Sequence, residues 1–239
     1  MKNNFFRSFW DFIGIPFRFA LFDQRWLPRF GWTTFEEERM WAVIPLLRGR
    51  LLDIGAGPNS LVRRYGQGVG VDIIDWGGGA LVVRDTANLP FPEGSFDTIT
   101  LIACLNHIPN RREVLREARR LIRPSGRLVL TMIGPILGHI GHAIWWYSED
   151  KKRGGMKEGE TGGLSTRRVI DLCHQAGFEL ENHSRFLYGF NHLYTFIPIC
   201  SRSARTRRSV STGEDDGRES GRRGLLQEVD RRRRDMANL

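Results

Sequence analysis

Two glycines and two aspartates near the middle of the first hundred residues have the types and spacing of a nucleotide site. An apolar run leads into Asp53, and Gly55 and Gly57 follow, where no Cβ would block the close approach of a ligand. A second apolar run ends in Asp72, whose carboxylate can accept hydrogen bonds from two hydroxyl groups. At the ends of two adjacent strands these groups would meet, so the pattern predicts a cofactor site.

A glycine turn followed by an acid is a weak signal by itself. Enzymes that transfer hydride from dinucleotides use the same arrangement, and many strand-to-helix turns need glycine for geometry alone. The dinucleotide fingerprint would place a third glycine or alanine at position 60, where this chain has Ser60. A single aspartate at a strand end is also often only a helix cap or a solvated loop residue. The residues that follow must therefore decide the interpretation.

The next fifty residues carry a series of further motifs. In order they are Asp85-Thr-Ala-Asn-Leu-Pro-Phe, Phe96-Asp97 before an apolar strand, Asn106-His107, and a charged helix followed by Arg123-Pro-Ser-Gly126 and another apolar strand. This series closely resembles the class I S-adenosylmethionine-dependent methyltransferases, in particular the type 11 group that includes the ubiquinone and menaquinone C-methyltransferases. The resemblance covers residues 34–198. It implies a Rossmann-like α/β fold whose sheet is mostly parallel, with an antiparallel closing strand and helices on both faces.

The resemblance implies that the glycine turn binds the methionine part of S-adenosylmethionine. The backbone from Gly55 to Gly57 would lie against this part, and Asp53 would hold the turn and face the ammonium group of the cofactor, directly or through water. The third glycine that is usual in the family falls at Asn59 in this chain. Because asparagine adopts left-handed backbone more readily than most residues, we expect the turn to keep its shape.

The resemblance assigns four further residues to the adenosine part of the cofactor. Asp72 would accept both ribose hydroxyls, and Ile73 would pack on a face of the adenine ring. Asp85 would accept a hydrogen bond from the adenine amino group, and the backbone amide of Thr86 would donate one to a ring nitrogen.

His107 is the candidate catalytic residue. Methyl transfer from a sulfonium is an in-line displacement whose main requirements are alignment and the exclusion of water. A base is needed only where the accepting atom must lose a proton. His107 follows the fourth predicted strand, at the face where donor and acceptor would meet, and histidine titrates near neutral pH. Its alternative role is to shape the cofactor pocket.

Three other histidines are weaker candidates for a base: His139, His142 and His192. The first two are spaced three apart, as two metal ligands on a helix can be, but no carboxylate or cysteine accompanies them with ligand spacing. We therefore predict no metal site. Asp97, at the start of a strand, is expected to hold the preceding loop.

Hydrophobic periodicity predicts alternating strands and helices. Thr34 and Glu37 form a capping box that would begin a helix ending at about Leu47. The predicted strands lie near 50–54, 68–72, 80–84, 97–103 and 127–133, with a closing hairpin at 178–187 and 192–198. The predicted helices follow the glycine turn, cover 111–122, and run from a cap at Ser165 or Thr166 to Ala176. The glycine-rich linker 75–79 favours a loop where a helix is usual.

Residues 34–200 would form the methyltransferase domain, and three segments lie outside its core pattern. Residues 1–33 hold eleven phenylalanine and tryptophan residues with four arginines, which suits either a lid over the active site or contact with a membrane surface. Residues 134–164 are an insertion on the acceptor side, with a predicted helix at 135–148 and a glycine-rich flap at 151–163. Residues 201–239, with eleven arginines, seven acids and few large apolar residues, are predicted to be a disordered basic tail.

Length and composition limit the number of domains and the cellular compartment. A chain of 239 residues that is 41% hydrophobic is long enough for one well-buried domain with appendages. Three cysteines far apart indicate neither a disulfide framework nor a zinc site, which favours a reduced, cytoplasmic compartment. No apolar stretch reaches the roughly 18 to 20 residues that span a bilayer, and no signal peptide is recognisable, so we expect a protein that is neither secreted nor transmembrane.

The expected function is S-adenosylmethionine-dependent methyl transfer to a small or lipid-linked hydrophobic acceptor, in the cytoplasm or at the periphery of an anionic membrane. An RNA methyltransferase is one alternative, favoured by the net charge of +9. The chain lacks the Asn-Pro-Pro-Tyr type of motif associated with methylation of base amino groups, so we do not expect nucleic acid as the partner. A catalytically silent partner protein that binds the cofactor is the other alternative.

Overall fold

The structure is a computed structural model that describes residues 5–18, 26–134 and 158–199. Residues 1–4, 19–25, 135–157 and 200–239 lie outside the described residues. The predicted helix at 135–148, most of the predicted flap, the basic tail, His139 and His142 fall in these segments.

A seven-stranded sheet is the centre of the described residues. Its strands are β1 (Leu51–Ile54), β2 (Gly68–Asp72), β3 (Leu81–Val82), β4 (Phe96–Ile102), β5 (Ile122–Ile133), β6 (Phe178–Phe186) and β7 (Asn191–Pro198). They lie in the order β3-β2-β1-β4-β5-β7-β6. Strands β1 to β5 pair in parallel, and β7 is antiparallel to both β5 and β6. The predicted mostly parallel sheet with a closing hairpin is confirmed.

The α-helices of the described residues are α1 (Phe5–Ile13), α2 (Phe35–Val43), α3 (Ser60–Tyr65), α4 (Arg111–Leu121) and α5 (Thr166–Gln175). Two of them, α2 and α5, begin at side-chain caps. The hydroxyl of Thr34 accepts from the Glu37 amide at 3.1 Å, and the Glu37 carboxylate accepts from the Thr34 amide at 3.2 Å, which confirms the capping box. Ser165, and not Thr166, caps α5.

Successive side chains of β1 enter different hydrophobic clusters. Leu52 and Ile54 are wholly buried in the cluster that contains residues of α4 and α5. Leu51 is equally buried in the cluster that contains residues of α2 and α3. Because neighbouring residues of a strand point to opposite faces, helices cover both faces of the sheet, as predicted.

Three element boundaries differ from the prediction. β3 is only two residues long, because its pairing stops at Val82, opposite the last residue of β2. The linker before it adopts positive φ at Gly77 and Gly79, and no helix forms there. α2 ends at Val43 and continues as a 3-10 turn, because Pro45 has no amide hydrogen to donate. β5 begins at Ile122, directly after α4, and shifts its register against β4 before it reaches the predicted start.

Asp97 has a structural role, but its partners differ from those predicted. Its Oδ2 accepts a hydrogen bond of 2.8 Å from the amide of Arg50, and its Oδ1 pairs with the guanidinium of Arg123. The bond from Arg50, helped by Arg123, lowers the pKa of Asp97. The loop before β4 is held instead by α4, where the Glu117 carboxylate accepts from the Leu89 amide at 2.9 Å. Asp97 therefore joins the starts of β1 and β5.

A buried polar network fastens the amino-terminal segment to α2. The Asp11 carboxylate accepts from the Thr33 amide at 2.7 Å and from its hydroxyl at 2.6 Å. Arg18, which is wholly buried, donates to the Thr33 carbonyl at 3.0 Å and pairs with Glu38 of α2. The segment is thus packed against its own domain on one side.

The same segment contains stacked aromatic rings and exposed apolar side chains. Trp32 contacts Trp10, Phe17 and Phe30, at centroid distances of 6.3, 5.4 and 5.6 Å, and Trp10 is 49% exposed. Six apolar side chains, which we term the exposed apolar set, are 48–83% exposed: Phe6, Phe9, Phe12, Ile13, Trp26 and Phe30. In the part of the chain that the structure describes, no helix has the length and apolar character needed to cross a bilayer.

Candidate functional site

A cavity of about 240 Å³ lies at the carboxyl ends of β1, β2 and β4. Its lining comes from the turn after β1, the end of β2 with the loop that follows, the segment after β4, and one face of α2. Ligands of open α/β sheets bind at this edge, where the strand order reverses about the first strand. Of the eight predicted site residues, seven line this cavity: Asp53, Gly55, Gly57, Asp72, Ile73, Thr86 and His107.

The glycine turn has the left-handed backbone that its sequence predicts. Gly55 has a φ of 73°, and a Cβ there would lie 2.8 Å from the Cβ of Cys104, so only glycine fits. Gly57 has a φ of 53°, and a Cβ there would meet no atom within 4 Å, so its backbone borders open space. Asn59 is also left-handed, with a φ of 59°, and the prediction that asparagine replaces the third glycine is confirmed.

The carboxylate of Asp72 is oriented by two backbone amides. Gly57 donates to its Oδ2 at 2.8 Å, and Ile74 donates to its Oδ1 at 3.0 Å. A carboxylate oxygen can accept two hydrogen bonds, so one acceptor position on each oxygen is available to a ribose hydroxyl. The bond from Gly57 also links the glycine turn to the end of β2, which fixes the two predicted halves of the cofactor site relative to each other.

The three residues assigned to adenine differ in their placement. Ile73 lines the cavity with half of its surface exposed, and Thr86 lines it while buried. Asp85 is exposed and is not among the residues that line the cavity. Its Oδ1 accepts hydrogen bonds from the Ala87 amide at 2.9 Å and from Asn110 Nδ2 at 3.3 Å, so Asp85 stabilises the turn that begins with it. Its contact with adenine stays a prediction.

Asp53 is a buried acid at the floor of the cavity. Its side chain accepts a hydrogen bond of 2.6 Å from the hydroxyl of Thr100. Burial raises the pKa of Asp53 to about 7, against the opposing effect of this hydrogen bond, and the nearby Asp72 raises it further. A positively charged ligand group in the cavity would favour the ionised form.

The segment after β4 forms the wall next to the glycine turn. Ala103 is held in left-handed backbone, with a φ of 52°, by bonds from its amide to the carbonyl and the hydroxyl of Thr131. A left-handed alanine is strained, and such strain is typical of functional sites. The Cys104 thiol donates to the carbonyl of Ile54 at 3.1 Å, which connects this wall to β1.

His107 lies in the short 3-10 helix Leu105–His107 and lines the cavity. Its Nε2 is 2.9 Å from the side-chain nitrogen of Asn106, and its Nδ1 is 3.5 Å from Glu160. His192, the other described candidate, does not line the cavity. It lies on β7 and stacks on His183 of the neighbouring strand β6, with ring centroids 5.1 Å apart. Burial, followed by the charge of Arg185, lowers the pKa of His192 and of His183.

Several functional residues were missed by the sequence interpretation. Glu36, Arg39 and Met40 bring one face of α2 to the cavity, and Trp76 reaches it from the loop after β2. The capping box predicted α2 but carried no signal for which face would line a site. Within the described residues, no three histidine, cysteine or acidic side chains are grouped as metal ligands.

Solved structures show the same fold. An S-adenosylmethionine-dependent methyltransferase of Thermotoga maritima is 20% identical, with a TM-score of 0.53 over 73% of this chain and 93% of its own. A TehB-like S-adenosylmethionine-dependent methyltransferase of Corynebacterium glutamicum is 17% identical, with a TM-score of 0.50 over 73% of this chain and 95% of its own. The family model described as a methyltransferase domain matches residues 52–130. The described residues thus have the fold of class I methyltransferases.

Two curated relatives are small-molecule methyltransferases by name. The 27-O-demethylrifamycin SV methyltransferase of Amycolatopsis mediterranei is 31% identical over 41% of this chain and 44% of its own length. The ubiquinone/menaquinone biosynthesis C-methyltransferase of Vibrio cholerae is 32% identical over 41% of this chain and 47% of its own length. The chain thus spans less than half the length of these relatives.

The cavity of the methyltransferase domain fits S-adenosylmethionine, the cofactor of this class. The open space beside Gly57 accommodates a ligand against backbone, and the oriented carboxylate of Asp72 suits two hydroxyls. The half-exposed Ile73 offers an apolar surface to a base, and the buried Asp53 suits an ammonium group. These features are compatible with the cofactor, and the role of each residue stays a prediction.

Proposed function

We propose that the protein transfers a methyl group from S-adenosylmethionine to a small or lipid-linked hydrophobic acceptor. The observation that carries this proposal is the cavity itself, in which residues from four separate motifs meet at the carboxyl ends of β1, β2 and β4. When bound, the cofactor supplies a methyl group on a positively charged sulfur, which is already activated for displacement. The protein then has to bind the cofactor and the acceptor, align them for methyl transfer, and keep water out of the cavity.

Different residues would bind the cofactor and contact the acceptor. Asp72 and the glycine turn would hold the cofactor in one orientation, because the bond from the Gly57 amide fixes the carboxylate. Ile102 and Ile108 line the side of the cavity next to His107, so an acceptor would meet an apolar surface with one base on it. This composition suits a hydrophobic acceptor that carries one polar reacting group.

The nature of the acceptor can be tested with methyl-labelled cofactor. The purified protein would be incubated with separate lipid, small-metabolite and RNA extracts, and the label would be followed into each. We expect label in the lipid or small-metabolite fraction, in agreement with the names of the curated relatives. Label confined to RNA would instead support the RNA methyltransferase alternative, and binding of cofactor without transfer to any fraction would support the silent partner.

The exposed apolar set supports a finer proposal, which is that the acceptor enters from an anionic membrane surface. Phe6, Phe9 and Ile13 follow the helical spacing of one stripe on α1, and each is 48–83% exposed. The guanidinium of Arg29 lies 4.3 Å from the ring centroid of Trp26, so a cation accompanies one member of the exposed apolar set. Rings and cations in this combination suit the headgroup region of a bilayer.

Vesicle flotation distinguishes membrane contact from a lid. Anionic vesicles should capture the full-length protein, and salt should weaken the capture without abolishing it, because apolar insertion adds to screened charge attraction. Replacing Phe6, Phe9 and Ile13 by serine should remove the salt-resistant fraction. The matched control replaces Ile197 and Ile199, which are also exposed but lie on β7 and after it, by serine. If the protein stays unbound even at low salt, the segment acts as a lid only.

A further inference from the structure

A buried carboxylate lies behind His107 on a segment far along the chain. The side chain of Glu160 is only 1% exposed, and its Oε2 lies 3.5 Å from His107 Nδ1. The His107 side chain is 20% exposed and lines the cavity. Glutamate is rarely buried to this extent without a partner, because burial removes the hydration of its charge. The pair therefore has the composition of a base and the group that orients it.

The contacts of the other ring nitrogen determine where the imidazole proton lies. Asn106 Nδ2 is 3.3 Å from the carbonyl oxygen of Thr161, which can only accept, so this atom of the amide is the donor. The same Nδ2 is 2.9 Å from His107 Nε2, which must then accept. Since a neutral imidazole has one donor and one acceptor nitrogen, its proton lies on Nδ1, on the side of Glu160.

Hydrogen bonds hold the two segments of this pair together. The Thr161 amide donates to the Asn106 carbonyl at 3.0 Å. The guanidinium of Arg111 donates to the carbonyls of Asn106 and Gly159, both at 2.8 Å, and so bridges the two segments. The placement of the carboxylate thus follows from one backbone hydrogen bond after it and from the Arg111 side chain, which binds the backbone before it.

We propose that Glu160 is a positioning residue for His107, and that the pair removes a proton from a hydroxyl-bearing acceptor; this rests on the proposed methyl transfer. Glu160 keeps the proton on Nδ1, so the lone pair of Nε2 takes the hydroxyl proton once the acceptor replaces the amide of Asn106. The freed electron pair forms the bond to the methyl carbon while the carbon–sulfur bond breaks and its electrons return to sulfur. The carboxylate stabilises the imidazolium, whose proton then passes to solvent.

Other charged groups surround His107 and remain the same in the variants that test the proposal. They are Arg111 from α4, Asp53 and Asp72 from the strand ends, and Glu36 and Arg39 from α2. Arg111 also interacts electrostatically with Glu160, so the change in the titration of His107 on substitution of Glu160 is compared with that on substitution of the neighbouring Glu158.

The test compares Glu160→Gln with Glu158→Gln, a matched control two residues away whose carboxylate is exposed. Nitrogen NMR of the cofactor-free protein should find the His107 proton on Nδ1 in the wild type. In Glu160→Gln the midpoint of the His107 titration should move to lower pH, because the negative charge that favours imidazolium is lost, whereas Glu158→Gln should leave it in place. With an acceptor, kcat should fall by at least about tenfold in Glu160→Gln, with the KM for the acceptor and the Kd for the cofactor unchanged.

A proton on Nε2 in the wild type would overturn the proposal, and so would equal titration midpoints and equal kcat in the two variants. His107→Ala should lower kcat further, and adding Glu160→Gln to it should cause no additional loss, because the two residues act as a unit. Calorimetry on the same proteins separates the two claims. If S-adenosylmethionine does not bind, the proposed function fails, while the NMR result still tests the pairing of His107 with Glu160.

Discussion

The two sides of the cavity are built in different ways. The strand-end wall, residues 53–61 and 72–76, is held by backbone amides such as those of Gly55 and Gly57, which donate to Val71 and Asp72. The outer wall, formed by one face of α2 and the segment that carries His107, depends in addition on side chains from distant parts of the chain, such as Arg18 and Arg111. A wall held by its backbone depends on few residue types, whereas a wall held by side chains can change its lining. If the proposed roles are correct, we expect cofactor binding and acceptor chemistry to respond to different substitutions.

Replacing His107 by alanine gives the largest expected effect and tests this separation directly. We expect kcat to fall by about 10²- to 10⁴-fold, the usual contribution of a general base, while the Kd for S-adenosylmethionine changes little. The control is His174→Ala, which removes an exposed histidine from α5. If cofactor affinity falls together with kcat, then His107 shapes the cofactor pocket, and the two walls are not independent.

Arg18 tests how strongly the outer wall depends on distant contacts. Arg18→Met would leave Asp11 and Glu38 without their buried cation, and loss of one partner of a buried ion pair costs about 3–5 kcal/mol. We expect this loss in the free energy of unfolding measured with denaturant. Arg29→Met, which removes an exposed arginine of the same segment, should have little effect. Equal stability of the two variants would contradict the role of this network.

The strand-end wall could be predicted from the sequence, whereas much of the outer wall could not. Gly55, Gly57 and Asp72 were predicted because their functions depend on local backbone and on strand ends, which the order of residues specifies. Glu160 was missed because its contact with His107 spans 53 positions and carries no periodic signal. β3 was predicted too long because its pairing stops at Val82, opposite the last residue of β2, Asp72.

Asp53, the first residue of the strand-end wall, should have a smaller effect, on the pH dependence of stability. Because the folded state raises its pKa to about 7, from about 4 in an unfolded chain, the folded state binds the proton more tightly. The stability that this gives is present below about pH 4 and is lost as the pH rises through 7. The cofactor-free wild type should therefore lose stability over this range relative to Asp53→Asn, measured by denaturant unfolding at each pH.

The same ionisation should appear in cofactor binding. An ammonium group favours the ionised carboxylate, so the affinity of the wild type should rise between pH 6 and pH 8, by no more than about tenfold per unit, and the rise should be absent in Asp53→Asn. Parallel pH profiles for the two proteins would mean that Asp53 holds the turn but does not face the ammonium group.

Titration calorimetry tests the central claim, which is that the strand-end wall binds S-adenosylmethionine through Asp72. The wild type should bind S-adenosylmethionine and S-adenosylhomocysteine but not NAD. Asp72→Ala should weaken binding by about 1–3 kcal/mol through the loss of charge-assisted hydrogen bonds, whereas Asp171→Ala, an exposed aspartate on α5, should leave it unchanged. Binding of NAD in place of S-adenosylmethionine, or equal affinity of Asp72→Ala and the wild type, would contradict the account.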